Sequence, residues 1–116
     1  MSDVVSMDQL ISEIRAISER QSRGVSVIHD LELALDEASR EYDWAKANAM
    51  LQATGTVAEK EAQVELGTKA QRLAYELAKT SLNYAKSQAK NLETTLMATQ
   101  SQLSAVKATY MVGGNS

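Results

Sequence analysis

The stretch Ala53-Thr54-Gly55-Thr56-Val57-Ala58-Glu59 decides the fold of this chain. Gly55 stands where a glycine commonly ends a helix, and Thr56 with Glu59 fits the S/T-x-x-E capping box that begins one. One helix therefore ends here and another begins. The chain has about 45 residues of helical pattern before this turn and about 54 after it, so the sequence predicts two arms of similar length that fold back on each other.

The first arm is predicted as two helices, at about 7–22 and 25–53. Its opening apolar residues recur at steps of three and four, and Ser6 or Asp8 supplies the cap oxygen. The pattern weakens at Gly24, and the sequence leaves open whether the helix continues through this residue. Beyond it, a strict three-four alternation gives the register of a coiled coil. The residues that carry these two patterns are Leu10, Ile11, Ile14 and Ile17, then Ile28, Leu31, Leu35, Ala38, Tyr42, Ala45 and Ala49.

The second arm is predicted as one helix at about 57–110, with a weak point at Gly67. Its apolar face is closer to an 11-residue than to a 7-residue repeat, which favours a nearly straight helix. Residues 112–116 have no periodicity and are predicted to form a flexible tail. The residues of the predicted face are Leu66, Ala70, Leu73, Leu77, Tyr84, Ala85, Leu92, Leu96, Thr99, Leu103, Val106 and Tyr110.

The composition agrees with a helical protein. The 116 residues include no Pro, no Phe, one Trp and 5 Gly, which is far from the β-branched and aromatic content of sheet proteins. The predicted fold is all-α, an elongated antiparallel helical hairpin of two or three helices in a single domain, residues 1–111. Because many seam positions are Ala, Ser or Thr, the core of one hairpin is thin, and we expect oligomerisation through helical-bundle or coiled-coil packing.

Several classes of function find no support in the residues. The chain has no Cys, so it has neither disulfides nor a catalytic thiol. His29 is the single histidine and has no readable catalytic partner, and no phosphate-binding loop is present. We therefore expect a non-enzymatic protein without cofactor or metal. No apolar run reaches the roughly 18 residues of a membrane span, and the N-terminus lacks a secretory signal, so we expect no membrane and a cytoplasmic location.

One side of the first arm carries apolar residues that the seam does not use. Leu33, Trp44 and Leu51 project almost opposite the Ile28 to Ala49 face, which gives this helix two apolar faces. One interpretation is that Trp44 packs within its own chain. The other is that these three residues form a protein interface, since Trp is frequent among interface hot spots.

Charge is divided unevenly between the arms. Residues 1–56 contain 10 acids and 5 bases, whereas residues 57–116 contain 5 acids and 7 bases. Weak ion pairs between the arms could orient the hairpin, and DNA mimicry by the acidic arm is a further alternative. On the second arm, basic residues lie along one line of the helix, opposite the predicted apolar face. They form either a solvated face or a phosphate-binding surface. These residues are Arg72, Lys79, Lys86 and Lys90.

Three segments resemble a known group of proteins: Ala53 to Val64, Arg72 to Ala78 and Tyr84 to Lys86. They are similar to small, largely uncharacterised helical proteins of tailed bacteriophages, over about residues 40–110. Genes for such proteins often lie near phage replication and recombination genes. The resemblance therefore implies an accessory role in phage DNA metabolism, or interference with a host system, and it brings no catalytic residues.

The sequence thus predicts a helical protein that self-associates and binds a protein partner of phage or host. Leu33, Trp44 and Leu51 are the predicted contact surface. Two alternatives stay open: a nucleic-acid-binding accessory that uses the basic residues, and a structural or assembly protein of the virion.

Overall fold

The computed structural model describes residues 6–114. They form three helices and no strand: α1 (Met7–Gln52), α2 (Val57–Gly67) and α3 (Lys69–Gly114). The predicted all-α fold and the helical hairpin are confirmed, with the turn between Gln52 and Val57. The predicted single domain divides into two compact units. We call Val27–Ala85 the turn unit, and the described residues up to Ser26 with those from Lys86 onward the terminal unit.

α1 begins with a complete capping box. The Ser6 hydroxyl accepts a hydrogen bond from the Gln9 amide at 3.1 Å, and the Gln9 side chain accepts one from the Ser6 amide at 3.0 Å. The predicted cap at Ser6 is therefore confirmed. The two predicted helices of the first arm are one helix, because Gly24 keeps a helical conformation and occupies a seam position between Gln21 and Ile28.

The turn is held by three residues. Gly55 has a φ of 108°, which only glycine adopts without strain. Thr56 caps α2, since its hydroxyl accepts from the Glu59 amide at 3.2 Å. The Gln63 carboxamide, whose role the sequence did not reveal, accepts from the Thr54 amide at 3.1 Å and donates to the Thr54 carbonyl at 2.7 Å. The backbone of the turn is thus tied to the second turn of α2.

The second arm is interrupted next to the predicted weak point. Thr68 separates α2 from α3, with φ −115° and ψ 12°. The interruption is slight, because the Thr68 amide donates to the Val64 carbonyl at 3.0 Å and the Arg72 amide donates to the Thr68 carbonyl at 2.9 Å. At its other end α3 reaches Gly114, so residues 112–114 of the predicted tail are helical. Asn115 and Ser116 lie outside the described residues.

Both arms pack through seams with a heptad rhythm. In α1 the alternation of four and three is unbroken from Leu10 to Ala49, which confirms the predicted faces of the first arm. The second arm has the same rhythm in its covered residues. These are Val64, Thr68, Gln71, Tyr75, Ala78, Leu82, Ala85, Ala89, Leu92, Leu96, Thr99, Leu103 and Val106. The prediction of an 11-residue repeat is therefore wrong, since it mixed two different faces of the helix.

The predicted apolar face is correct from Ala85 to Val106 and wrong before Ala85 and at Tyr110. Leu66, Leu73, Leu77 and Tyr84 are exposed, as are Ala70 and Tyr110. In the turn unit the second arm instead turns smaller and more polar residues toward α1. The packed series of this arm runs through Val64, Gln71 and Tyr75, so Leu66, Leu73 and Leu77 fall on the opposite side of the helix.

Two threonines lie in the buried seams, and the hydroxyl of each donates a hydrogen bond to the carbonyl four residues earlier. Thr68 in the turn unit donates to the Val64 carbonyl at 2.7 Å, and Thr99 in the terminal unit donates to the Thr95 carbonyl at 2.8 Å. The terminal unit also buries Leu10 and Ile17, whereas the turn unit buries Leu82 and stacks Tyr42 against Tyr75 with ring centroids 5.9 Å apart. Both cores are therefore narrow, as the small residues predicted.

Gly24→Ala is expected to raise the free energy of unfolding by about 1 kcal/mol. Gly24 lies inside α1, and a Cβ built on it meets nothing within 4 Å, so alanine brings its higher helix propensity without a clash. Urea denaturation followed by circular dichroism measures the change. Ala16→Gly, at an exposed position of the same helix, is the matched control and should lose about as much. An unchanged or lower midpoint for Gly24→Ala would contradict the expectation.

Candidate protein-interaction surface

Leu33, Trp44 and Leu51 form a line on α1 that faces away from the seam, and we call it the Trp44 strip. They are 11 and 7 residues apart, which is close to whole numbers of helical turns. Their exposed fractions are 55%, 71% and 86%. Trp44 does not pack into the core of its own chain, so the first of the two interpretations of this residue is wrong.

A groove of about 360 Å³ lies beside Trp44 within the turn unit. It runs between α1 and the second arm and is lined by carboxamides as well as by the indole, including Asn48, Gln52, Gln63 and Gln71. The Gln71 side-chain oxygen is buried and accepts no hydrogen bond from the described residues. The groove thus combines the indole of Trp44 with carboxamides from both arms.

Six acidic side chains lie on α1 within the part of the helix that carries Leu33 and Trp44. All six are exposed: Asp30, Glu32, Asp36, Glu37, Glu41 and Asp43. Of the six, only Asp43 forms an ion pair within residues 6–114, at 3.6 Å to Lys46, whose ammonium group also lies 4.3 Å from the centre of the Tyr42 ring. This part of α1 is therefore strongly negative.

The predicted ion pairs between the arms are not found in the described chain. The two ion pairs there are Asp43–Lys46, within α1, and Glu65–Arg72, at 3.4 Å within the second arm. Each joins residues of a single arm, so the arms are aligned by their seams and the turn. The other five acids of this part of α1 form no ion pair within residues 6–114.

The predicted basic residues differ in their surroundings. Arg72 does not point outward as expected: it is half-buried, and its Nε is covered and makes no hydrogen bond to any described residue. The reason is that the seam follows Tyr75 and not Leu73, which places Arg72 at the edge of the packed face. Lys79 in the turn unit and Lys86 and Lys90 in the terminal unit are exposed. Contact of these lysines with nucleic acid stays a prediction.

The second arm exposes a further apolar line, Leu66, Leu73, Leu77 and Tyr84, with exposed fractions between 53% and 77%. Sequence reasoning found these residues but assigned them to the hairpin core. The two faces differ in how far the heptad repeat extends. Only the residues that pack on α1 keep the heptad spacing from Val64 to Val106. The turn unit therefore has an apolar line on each arm, both directed away from the hairpin seam.

Other chemistry is not evident in the described chain. His29 is exposed, and no three His, Asp or Glu side chains within residues 6–114 converge in a way that would hold a metal ion. Within the same residues, no helix combines the length and apolar character needed to cross a lipid bilayer. Comparison of the chain with family models, curated proteins and solved structures gave no match. The exposed surfaces are therefore the features of this chain that bear on its function.

Proposed function

We propose that this chain is a non-enzymatic helical protein that self-associates and binds a protein partner through the Trp44 strip. The observation that carries the proposal is an exposed Trp, 71% accessible, between two exposed leucines on an unbroken helix. Trp is the side chain most enriched among residues that dominate binding energies. An apolar line of this kind, bordered by polar residues, is typical of an interaction site.

The strip suits binding because its backbone is already ordered. α1 runs from Met7 to Gln52 without a break, so a partner would order only side chains on contact. A rigid, large and amphipathic side chain such as Trp loses little conformational entropy when it is covered. The carboxamides of the neighbouring groove add hydrogen-bonding groups that fix the orientation of the partner.

The partner is expected to be basic around an apolar centre. Five of the six acids on this part of α1 have no ion pair within the described residues, so a partner rich in Lys or Arg would gain charge pairs and faster association. An apolar helix with a basic border has the matching chemistry. Because three segments of the chain resemble phage proteins, we propose that the partner belongs to a phage replication or recombination complex, or is a host enzyme that the chain inhibits.

Site-specific photo-crosslinking tests the proposal. A photoreactive phenylalanine analogue at Trp44 should form an adduct with one defined protein in a bacterial extract, identified by mass spectrometry. The matched control carries the analogue at Val25, which is also an apolar residue of α1 and 70% exposed but lies off the strip. Equal adducts at both positions, or none at Trp44, would contradict the proposal.

Trp44→Ala is expected to leave stability almost unchanged while it weakens capture of the crosslinked partner at least tenfold. The indole is mostly in water, so its removal should change the free energy of unfolding by no more than about 0.5 kcal/mol. A hot-spot Trp commonly contributes 2 kcal/mol or more at an interface. Pull-down of the purified partner, beside urea denaturation of both chains, measures the two effects. Equal capture by wild type and Trp44→Ala would rule out the strip as the binding site.

A further inference from the structure

The outer face of the second arm carries a second heptad series. It runs Leu66, Ala70, Leu73, Leu77, Thr80 and Tyr84, at steps of four and three. All six are exposed, and we call them the outer seam. The series keeps its phase across Thr68, because the hydrogen bonds from Thr68 to Val64 and from Arg72 to Thr68 continue the helical pattern. A heptad seam of this kind is the surface that packs on another helix.

We propose that the outer seam binds the outer seam of a second copy, with the two helices antiparallel about a two-fold axis level with Tyr75. This inference rests on the self-association that forms part of the proposed function, and it assigns a surface to it. The Trp44 strip, on the opposite arm, stays free for the protein partner.

The spacing of the outer seam is the same in both directions. Leu66 and Tyr84 are equally far from position 75, and so are Ala70 and Thr80, and Leu73 and Leu77. An antiparallel pair centred there places Leu73 opposite Leu77 of the second copy, and Leu66 opposite Tyr84. Every residue of the outer seam in one copy then lies opposite a residue of the outer seam in the other copy. Two-fold symmetry is also the commonest symmetry of protein oligomers, because it closes the interface.

The distribution of charge makes the second arm a better surface for pairing two copies than the first arm. Residues 57–85 contain four acids and four bases, so two copies bring no net repulsion. Residues 27–52 contain six acids and two bases, and pairing two Trp44 strips would bring acid against acid. The strip also has Glu37 and Arg40 at the heptad positions between Leu33 and Trp44, whereas the outer seam has no charged residue at any of its positions.

The border of the outer seam supplies matching charges. Lys69 and Glu76 are exposed and lie on the same edge of the seam. Rotation about the two-fold axis brings the same edges of the two helices together. Lys69 of one copy then lies about 7.5 Å along the helix axis from the level of Glu76 in the other, which two long side chains can span. The two Glu76 residues lie about 3 Å apart along the axis, so two lysines and two glutamates form one cluster without net charge across the two-fold axis.

Solution mass tests the surface. Light scattering on a sizing column should give a dimer for the wild type and a monomer for the double variant Leu73→Glu/Leu77→Glu. Both leucines are more than half exposed, so circular dichroism should show the same helicity for the two proteins. The matched control is Leu33→Glu, an equally exposed leucine of the Trp44 strip, which should remain a dimer.

Cysteine pairs test the orientation, since the chain has no natural Cys. Under mild oxidation, Leu66→Cys mixed with Tyr84→Cys should form a mixed disulfide. Each variant alone should form none, because in an antiparallel pair identical positions would be about 27 Å apart along the axis. A parallel pair would give the opposite result, with Leu66→Cys joining to itself.

The outcomes separate this inference from the proposed function. A dimer that survives Leu73→Glu/Leu77→Glu but dissociates with Leu33→Glu would overturn the outer seam and leave self-association in place. A monomeric wild type would overturn self-association and with it this inference, whereas crosslinking at Trp44 would still report the partner. A dimer lost only in the double variant, with crosslinking at Trp44 retained, would support both.

Discussion

Leu10→Ala should lower the free energy of unfolding by about 2–5 kcal/mol, the largest effect that we expect from any single substitution in this chain. Leu10 is the one completely buried large side chain among the residues whose burial the structure describes, with an exposed fraction of 0%. Alanine would remove apolar contacts and leave a cavity that a narrow helical pair fills poorly. Urea denaturation followed by circular dichroism measures the loss.

The control for Leu10→Ala is the same substitution at an exposed leucine. Leu33→Ala removes as many atoms from α1, but more than half of that side chain is already in water, so its cost should stay within about 0.5 kcal/mol. Amide hydrogen exchange adds the location, because Leu10 lies in the terminal unit and protection should fall there first. If both variants lost the same stability, Leu10 would not belong to the core.

Gly55→Ala is expected to cost about 1–3 kcal/mol, the next largest effect. Two causes add together. The φ of 108° strains any residue that has a Cβ, and the Glu59 side chain occupies the space into which that Cβ would project. The midpoint of urea denaturation measures the sum.

A second variant separates the two causes. Gly55→Ala/Glu59→Ala removes the carboxylate that lies nearest to the added Cβ and keeps the backbone strain, so it should recover part of the loss and not all of it. Gly67→Ala is the matched control: a Cβ there meets only the Ala49 methyl group at 4.0 Å, an ordinary contact, and its φ is not positive. Equal losses at Gly55 and Gly67 would mean that the turn does not depend on a glycine.

The turn and the first arm were predictable because local rules decide them. The cap at Thr56 and the positive φ at Gly55 follow from the chemistry of helix ends. Between Ile28 and Ala49, no second face of α1 carries an unbroken apolar series with heptad spacing, so the seam could be identified from the sequence. The continuity of α1 was not predictable in the same way. A glycine within a helix lowers its propensity by only about 1 kcal/mol, which packing on both sides of Gly24 can offset.

The second arm was assigned to the wrong face because its sequence offers two. The size of Leu66, Leu73 and Leu77 made them the expected core residues. The residues that actually pack on α1 belong to the series that includes Tyr75 and Leu82. Which face packs depends on the residues of the opposite helix, and that information is not local. Whether Trp44 is exposed or packed within its own chain also depends on the opposite helix, so the sequence left both interpretations open. The two hydrogen bonds between Gln63 and Thr54 could not be predicted, since no spacing rule describes them.

The hydrogen bonds between Gln63 and Thr54 also bear on the order in which the hairpin folds. Gln63 and Thr54 are nine residues apart in the sequence, whereas Tyr42 and Tyr75, which meet farther along the arms, are separated by 33. The entropy lost on closing a loop rises with its length, so the contacts of the turn can form before any contact between the arms is favourable. We therefore expect the turn to form the folding nucleus, so that substitutions near it change the rate of folding more than the rate of unfolding.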